Sequence, residues 1–291
     1  MVLGQERQAR EERCNFTKKN LFVVLSISAV YGRCAIPIAW AILPEGKKGS
    51  WKESWLKLFR CFLGCTPADW LVIVAADRGL YARWLYEAIQ DCGCHPLLRI
   101  NLRSKYRPKG AEDFRPMSQL LSSPDSVWAG KVTCFAINSI ESTLLACWGA
   151  KHLEPWIILT DLPPENASAA WYGMRSWIED SFKDLKSDGW QWQNTRMSDP
   201  ARAARLWLAL SVATLWVISV GGEADAKLPD CNLSHLPPTH IACKTKTHSS
   251  KPRNMSCFAR GIINILTALI NQRPITLGRF FPEPWQLKTY T

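Results

Sequence analysis

The stretch 170-AWYGMRSWIEDSFKDLKSDGW-190 sets Tyr172, Arg175, Glu179 and Lys186 at offsets of 0, 3, 7 and 14. Read as one continuous α-helix at about 100° per residue, it places all four within an arc of roughly 60°. A carboxylate flanked by two cations on one face suits a metal ion beside a phosphate. A solvated helix laced with ion pairs has the same composition. The spacing predicts a helix that starts near Ser168 and breaks at Gly189.

Upstream of this helix, 156-WIILT-160 reads as a strand leading into it. The run 71-LVIVAA-76 is short, continuous and apolar, the pattern of a central strand buried on both faces. Asp77 follows at its C-terminal end, where ligands gather in open α/β sheets. An Asp before Arg-Gly is also a common turn former. Gly79 opens a helix over Leu80–Gln90, and Leu97–Asn101 is a further strand. Leu21–Val30 and Cys34–Leu43 read as an antiparallel pair around Tyr31-Gly32-Arg33, with Pro37 suited to an edge. Ser50–Leu63 has helical spacing, with Ser50 as N-cap and Glu53 completing a capping box. Between Leu102 and Glu154, short apolar patches alternate with Pro, Gly and Ser, which reads as a β-rich insertion. Downstream, a helix runs from Asp199 to Val220 with Pro200 in its first turn and Gly221-Gly222 ending it. Phe258–Leu269 is a last apolar helix.

The 291 residues are 47% hydrophobic, enough for a sizeable core, and carry a net charge of +11. Residues 227–291 hold nine Lys/Arg against two acids. This balance points to nucleic acid or another polyanion. Eleven cysteines at irregular spacing in a chain of this length read as reduced and mostly buried. The longest apolar run, Leu206–Val220, would reach only about 22 Å as a helix, short of a membrane core of roughly 30 Å. A core helix, a cytoplasmic location and no membrane partner are therefore expected.

Tyr172-x2-Arg175-x3-Glu179-x6-Lys186 resembles the Tyr-Arg-Glu-Lys signature of the insertion-sequence-4 family of bacterial DDE transposases. The segments VVLSISAVYGRCAIPIAW, ADRGLYARWLYEAI, PWIILTDLPPE and GWQWQNTRMSDPARAARLWLALSVATLW are similar to that family too, over roughly residues 21–285. The resemblance implies an α/β fold: a ribonuclease-H-like catalytic domain with a β-rich insertion before its last catalytic helix, then an α-helical C-terminal region. It divides the chain into a polar segment (1–20), the first part of the core (21–101), the insertion (102–155), the second part with the catalytic Glu helix (156–222) and a basic C-terminal region (223–291). Asp77 and Glu179 become catalytic and metal-binding acids, holding two Mg²⁺ ions, with Mn²⁺ as a substitute. Tyr172, Arg175 and Lys186 become DNA-binding residues. The implied activity is DNA strand cleavage and strand transfer. The implied partners are double-stranded DNA, at insertion-sequence ends and target, and a second copy in a homodimer.

One departure stands out. The resemblance places a first acid on a first strand, just before LFVVLSIS. The ungapped match puts Cys14 there, and the only acids before Leu21 are Glu6, Glu11 and Glu12, in a charged stretch with no strand pattern. First strand, first acid and an amino-terminal DNA-binding domain are therefore expected to be absent. The expected protein is an incomplete transposase that binds DNA with little or no cleavage; the alternative is a catalytically inactive remnant on element-end DNA. Three weaker readings remain. Cys231, His235, His240 and Cys243 could be drawn as a zinc site, at a non-standard spacing. Trp128 in the insertion is a packing residue or an aromatic presented to a flipped base. Lys183 and Arg196 would extend a phosphate-binding face.

Overall fold

The computed structural model describes residues 1–10, 19–44, 51–149, 153–186, 189–195, 197–227 and 255–282. Its strands are β1 (Val2–Arg10), β2 (Lys19–Tyr31), β3 (Cys34–Pro44), β4 (Ile73–Ala76), β5 (His95–Arg99), β6 (Lys105–Pro108), β7 (Arg115–Pro116), β8 (Ser126–Cys134), β9 (Ile140–Trp148) and β10 (Trp156–Thr160). The helices are α1 (Lys52–Arg60), α2 (Arg83–Asp91), α3 (Ser176–Leu185), α4 (Pro200–Lys227) and α5 (Cys257–Ile270). All ten strands join one mixed sheet in the order β3-β2-β1-β4-β5-β10-β9-β8-β6-β7. The β-rich insertion therefore extends the same sheet past β5 and forms no separate body.

The expectation that residues 1–20 hold no strand is overturned. β1 pairs antiparallel with β2 from Val2↔Ser28 to Arg10↔Lys19 and parallel with β4 at Val2↔Ala75. Its polar sequence hides it because the apolar content of this ribbon sits on β2, while β1 supplies backbone partners and Leu3, which is 1% exposed. Strand preference is set by neighbours more than by the residue itself. Since β4 ends at Ala76, most of β1 runs on with β2 past the end of β4 that carries Asp77. Cys14 lies outside the described residues.

The sheet is covered on both faces. On one, Trp55, Leu58 and Phe59 of α1 and Leu85 and Ile89 of α2 pack on Val23, Leu25, Val74 and Ala76. On the other, Trp171, Tyr172, Ile178, Phe182 and Leu185 pack on Val24, Ile73, Ala75, Leu97 and Ile158. Alternate residues of β4 go to opposite clusters and all four are buried, which explains the uninterrupted apolar run. β3 is an edge, as Pro37 requires, and a register shift occurs at Ile27/Ser28 beside it. One N–H of that edge strand, on Ala35, donates to Ser181 Oγ of α3 at 2.5 Å. Around α1, the predicted cap Ser50 lies outside the described residues, and Trp51 holds the N-cap position with no side-chain bond.

Gly221-Gly222 does not end the fourth helix, which continues to Lys227. A Cβ on Gly221 would overlap the Cys257 carbonyl oxygen, and one on Gly261 would overlap that of Val217. The glycines let α4 and α5 approach at backbone distance. That seam also carries the Arg260–Asp225 ion pair, with Arg260 only 7% exposed. At 28 residues, α4 is long and apolar enough to cross a membrane by length and composition, unlike the 15-residue run expected. Trp207, Thr214, Val217 and Ile218 are nevertheless buried against the sheet and α5. The described cysteines are unbridged: Cys34, Cys94, Cys134 and Cys257 are buried, while Cys61 and Cys65 are exposed.

Candidate active site

The signature stretch is not one continuous helix. Ser168 caps a 3-10 segment, Ala169–Arg175, by accepting from the Ala170 N–H at 3.2 Å, and α3 follows over Ser176–Leu185. The tighter winding leaves the alignment intact at its start, because residues three apart eclipse in a 3-10 helix. Tyr172 and Arg175 therefore share a face, and Arg175 to Glu179 is an ordinary helical i,i+4 step. The helix ends at Leu185 because the chain doubles back. The Trp190 N–H donates to the Asp184 carbonyl at 2.8 Å and Gln191 N–H to that of Lys186 at 2.6 Å. A Cβ on Gly189 would overlap the Asp184 carbonyl oxygen.

Asp77 sits where β4 stops and caps the turn Arg78–Leu80, its Oδ1 accepting from the Arg78 N–H at 2.7 Å. The Tyr172 hydroxyl donates to the same oxygen at 3.2 Å. Arg175 Nη1 lies 4.0 Å from Asp77 Oδ2, and its Nη2 is bonded to Glu179 Oε1. One planar guanidinium thus spans both acids, so their nearest oxygens lie within about 9 Å of each other. The fork is 19% exposed, while Asp77 and Glu179 are 45% and 59% exposed: the acids face solvent and the cation is held between them.

Tyr172 is 3% exposed and meets Trp156 edge-on at 5.2 Å between centroids. Burial, and then the Asp77 charge, push its phenol well above the ordinary range, so it stays protonated and donates. Arg99, at the end of β5, also acts on that phenol electrostatically. Arg99 lies outside the signature stretch, and the signal that marks it is its place at the end of the strand next to β4. Arg78 is paired with Glu154 at 3.1 Å, tying the Asp77 turn to the segment before β10.

Asp77, Tyr172, Arg175 and Glu179 therefore converge. Lys186 does not extend α3: it is the C-cap, two turns beyond Glu179, with φ −93 and ψ −111. Lys183 pairs with Asp180 at 2.8 Å. Trp128 packs edge-on against Tyr106 at 5.9 Å, on the sheet face opposite α3. Arg196 and the cysteines and histidines at 231–243 lie outside the described residues. Among the described residues, no group of three or more His, Cys, Asp or Glu side chains could hold a metal ion. The fit to a divalent ion rests on the pair alone: Asp77 and Glu179 already share a cation, the Arg175 guanidinium.

A profile of the family described as "Transposase DDE domain" matches residues 58–216. No curated protein matches the chain. Among solved structures, the piggyBac transposase synaptic complex with hairpin DNA is similar at a TM-score of 0.40 and 9% identity. That match covers 73% of this chain, which spans 45% of the other.

Proposed function

The chain belongs to the DDE transposase family, a nuclease and strand-transferase class, and from that premise we propose that it cleaves and joins DNA at insertion-sequence ends, in the bacterial cytoplasm, as an insertion-sequence-4-type enzyme. The arrangement β3-β2-β1-β4-β5, three antiparallel strands followed by two parallel ones, supports a ribonuclease-H-like core. The observation that carries the proposal is the Arg175 guanidinium between Asp77 and Glu179 at the end of β4.

Asp77 and Glu179 would hold Mg²⁺, or Mn²⁺ in its place, which supplies charge neutralisation at the attacking and leaving oxygens. The chain's own groups do the rest. Arg175 offsets the repulsion between the two carboxylates in the free protein and turns its fork to a DNA phosphate when one arrives. Tyr172 fixes the Asp77 carboxylate by a bond from a phenol that does not ionise. Arg99 and Lys186 add positive potential for the backbone of a double-stranded DNA end. A homodimer would hold two such ends together.

A second reading, a catalytically inactive remnant that binds element ends, is favoured by the Arg175 fork, which already occupies both acids. One experiment separates the two. The purified chain is incubated with Mg²⁺ and a duplex carrying matching element ends. Cutting that disappears in Glu179→Gln establishes the enzyme. Binding without cutting, at any Mg²⁺ or Mn²⁺ concentration, establishes the remnant.

A further inference from the structure

β6 reads Lys-Tyr-Arg-Pro, and the strand alternation splits it. Tyr106 is 6% exposed and packs in the cluster under α1 and α2, opposite Cys134. Lys105, Arg107 and the following Lys109 take the other face. On β8, Trp128, Val132 and Cys134 join the same cluster as Tyr106, so Val127, Ala129, Lys131 and Thr133 take the other face with Arg107. The Lys109 N–H donates to the Lys131 carbonyl at 3.0 Å, which sets these two lysines side by side. Ala129 pairs with Leu145, a member of the cluster beneath α3. The cations therefore lie on the sheet face that carries the signature helix.

This face is open. Lys105, Lys109 and Lys131 are exposed, and Val127 is 68% exposed. The Arg107 guanidinium is stacked 5.0 Å over the Phe114 ring, which holds it in place. Glu141, opposite Thr133, is the acid that shares these strands, and Glu112 and Asp113 lie in the adjoining turn. Residues two apart on a strand are about 6.6 Å apart and neighbouring strands about 4.8 Å, so the four cations form a ladder rather than a scatter. β8 and β6 are four and five strands from β4, placing the ladder about 19–24 Å from Asp77.

We propose that Lys105, Arg107, Lys109 and Lys131 form a second phosphate-contact surface, which seats the flank of duplex DNA on the insertion while its end lies at Asp77 and Glu179. The identity of the polyanion rests on the transposase reading; the surface itself rests on register and exposure. Phosphate contacts of this kind fix position without reading sequence. It also assigns the DNA-facing side of the insertion to the face opposite Trp128.

The test is fluorescence anisotropy of the full chain with a 30-base-pair duplex of arbitrary sequence, without divalent metal, over a salt series. The triple variant Lys105→Glu, Lys109→Glu, Lys131→Glu should bind at least about tenfold more weakly at 0.1 M salt. Its slope of log K against log salt should fall by about 2.7, three phosphates at about 0.9 each. Lys52→Glu with Lys57→Glu, on exposed α1 positions across the sheet, should change neither much. If the triple variant does not fold, Lys109→Ala and Lys131→Ala are read singly, each lowering the slope by about 0.9. Wild-type affinity and slope in folded strip variants overturn the proposal, as does tighter binding of single-stranded RNA of equal length. Cutting of element ends by a chain indifferent to these substitutions overturns the surface and leaves the transposase reading standing. Strip-dependent binding without cutting leaves the surface standing and overturns the cleavage reading in favour of the remnant.

Discussion

Arg175 is the residue whose removal should do two opposite things. In the free protein its guanidinium lies between Asp77 and Glu179 and competes with any divalent ion for them. Two unit charges 4 Å apart interact by about 1 kcal/mol in water and about 4 kcal/mol at an effective dielectric of 20. Both carboxylates are about half exposed, so the water end of that range applies, and exposed pairs are worth about 0.2–1 kcal/mol. Arg175→Ala should therefore release about 1 kcal/mol of competition, roughly a fivefold gain in Mn²⁺ affinity. The same substitution removes a phosphate fork, so DNA affinity should fall and the salt slope should drop by about 0.9. Arg175→Lys keeps a charge near the acids but not the fork, so it should bind Mn²⁺ like wild type and cut poorly. Mn²⁺ binding is read from the free-ion electron paramagnetic resonance signal on the full chain without DNA. Unchanged or weaker Mn²⁺ binding in folded Arg175→Ala would show that the guanidinium does not guard a metal site.

Further outcomes follow from other parts of the molecule. Tyr172→Phe keeps the Trp156 contact and loses the bond to Asp77, so it should slow cutting while unfolding stability drops by no more than about 1.5 kcal/mol; an unchanged cutting rate would remove Tyr172 from the site. Gly261→Val drives a side chain into the Val217 carbonyl and should cost about 2–3 kcal/mol, whereas Gly79→Ala, with no atom within 4 Å, should be nearly neutral in a melting experiment. Burial pushes the Cys34 and Cys134 thiols up to about 11 and about 12. Between pH 9 and 11 the unfolded chain loses protons that the folded chain keeps, so stability should fall as pH rises through that window. Maleimide should meanwhile label Cys61 and Cys65 in the native chain and these two only after unfolding.

What was legible in the sequence is what short-range patterns encode. The run at 71–76 announced β4 because both faces of that strand are buried, and Pro37 marked an edge because it cannot donate to a second neighbour. The grouping of Tyr172, Arg175 and Glu179 was legible although the helix type was not, because three-residue and four-residue steps preserve a face in either winding. Lys186 was misread for the same reason: fourteen residues of extrapolation assumed a helix that ends at Leu185. Gly221-Gly222 looked like punctuation since nothing local distinguishes a stop from a helix crossing. Arg99 and the ladder on β6 and β8 depend on strand order, which no local period contains.

β1 is the more instructive case. Val2–Arg10 carries no sustained alternation of apolar and polar residues, yet it forms the strand between β2 and β4. Its place is set by backbone pairing: it runs antiparallel to β2 from Val2 to Arg10 and meets β4 at Val2↔Ala75. Beyond that point β1 runs on beside β2 and β3, as a three-stranded antiparallel ribbon, past the end of β4 where Asp77 sits. The register makes this specific. Val2 faces Ala75, and two residues further along each strand stand Gly4 and Asp77. The one acid of the strand, Glu6, is paired with Val24 of β2. The strand missing from the sequence pattern is present in the sheet, so its absence is no ground for expecting weak catalysis, and the cleavage assay on element-end DNA tests activity directly.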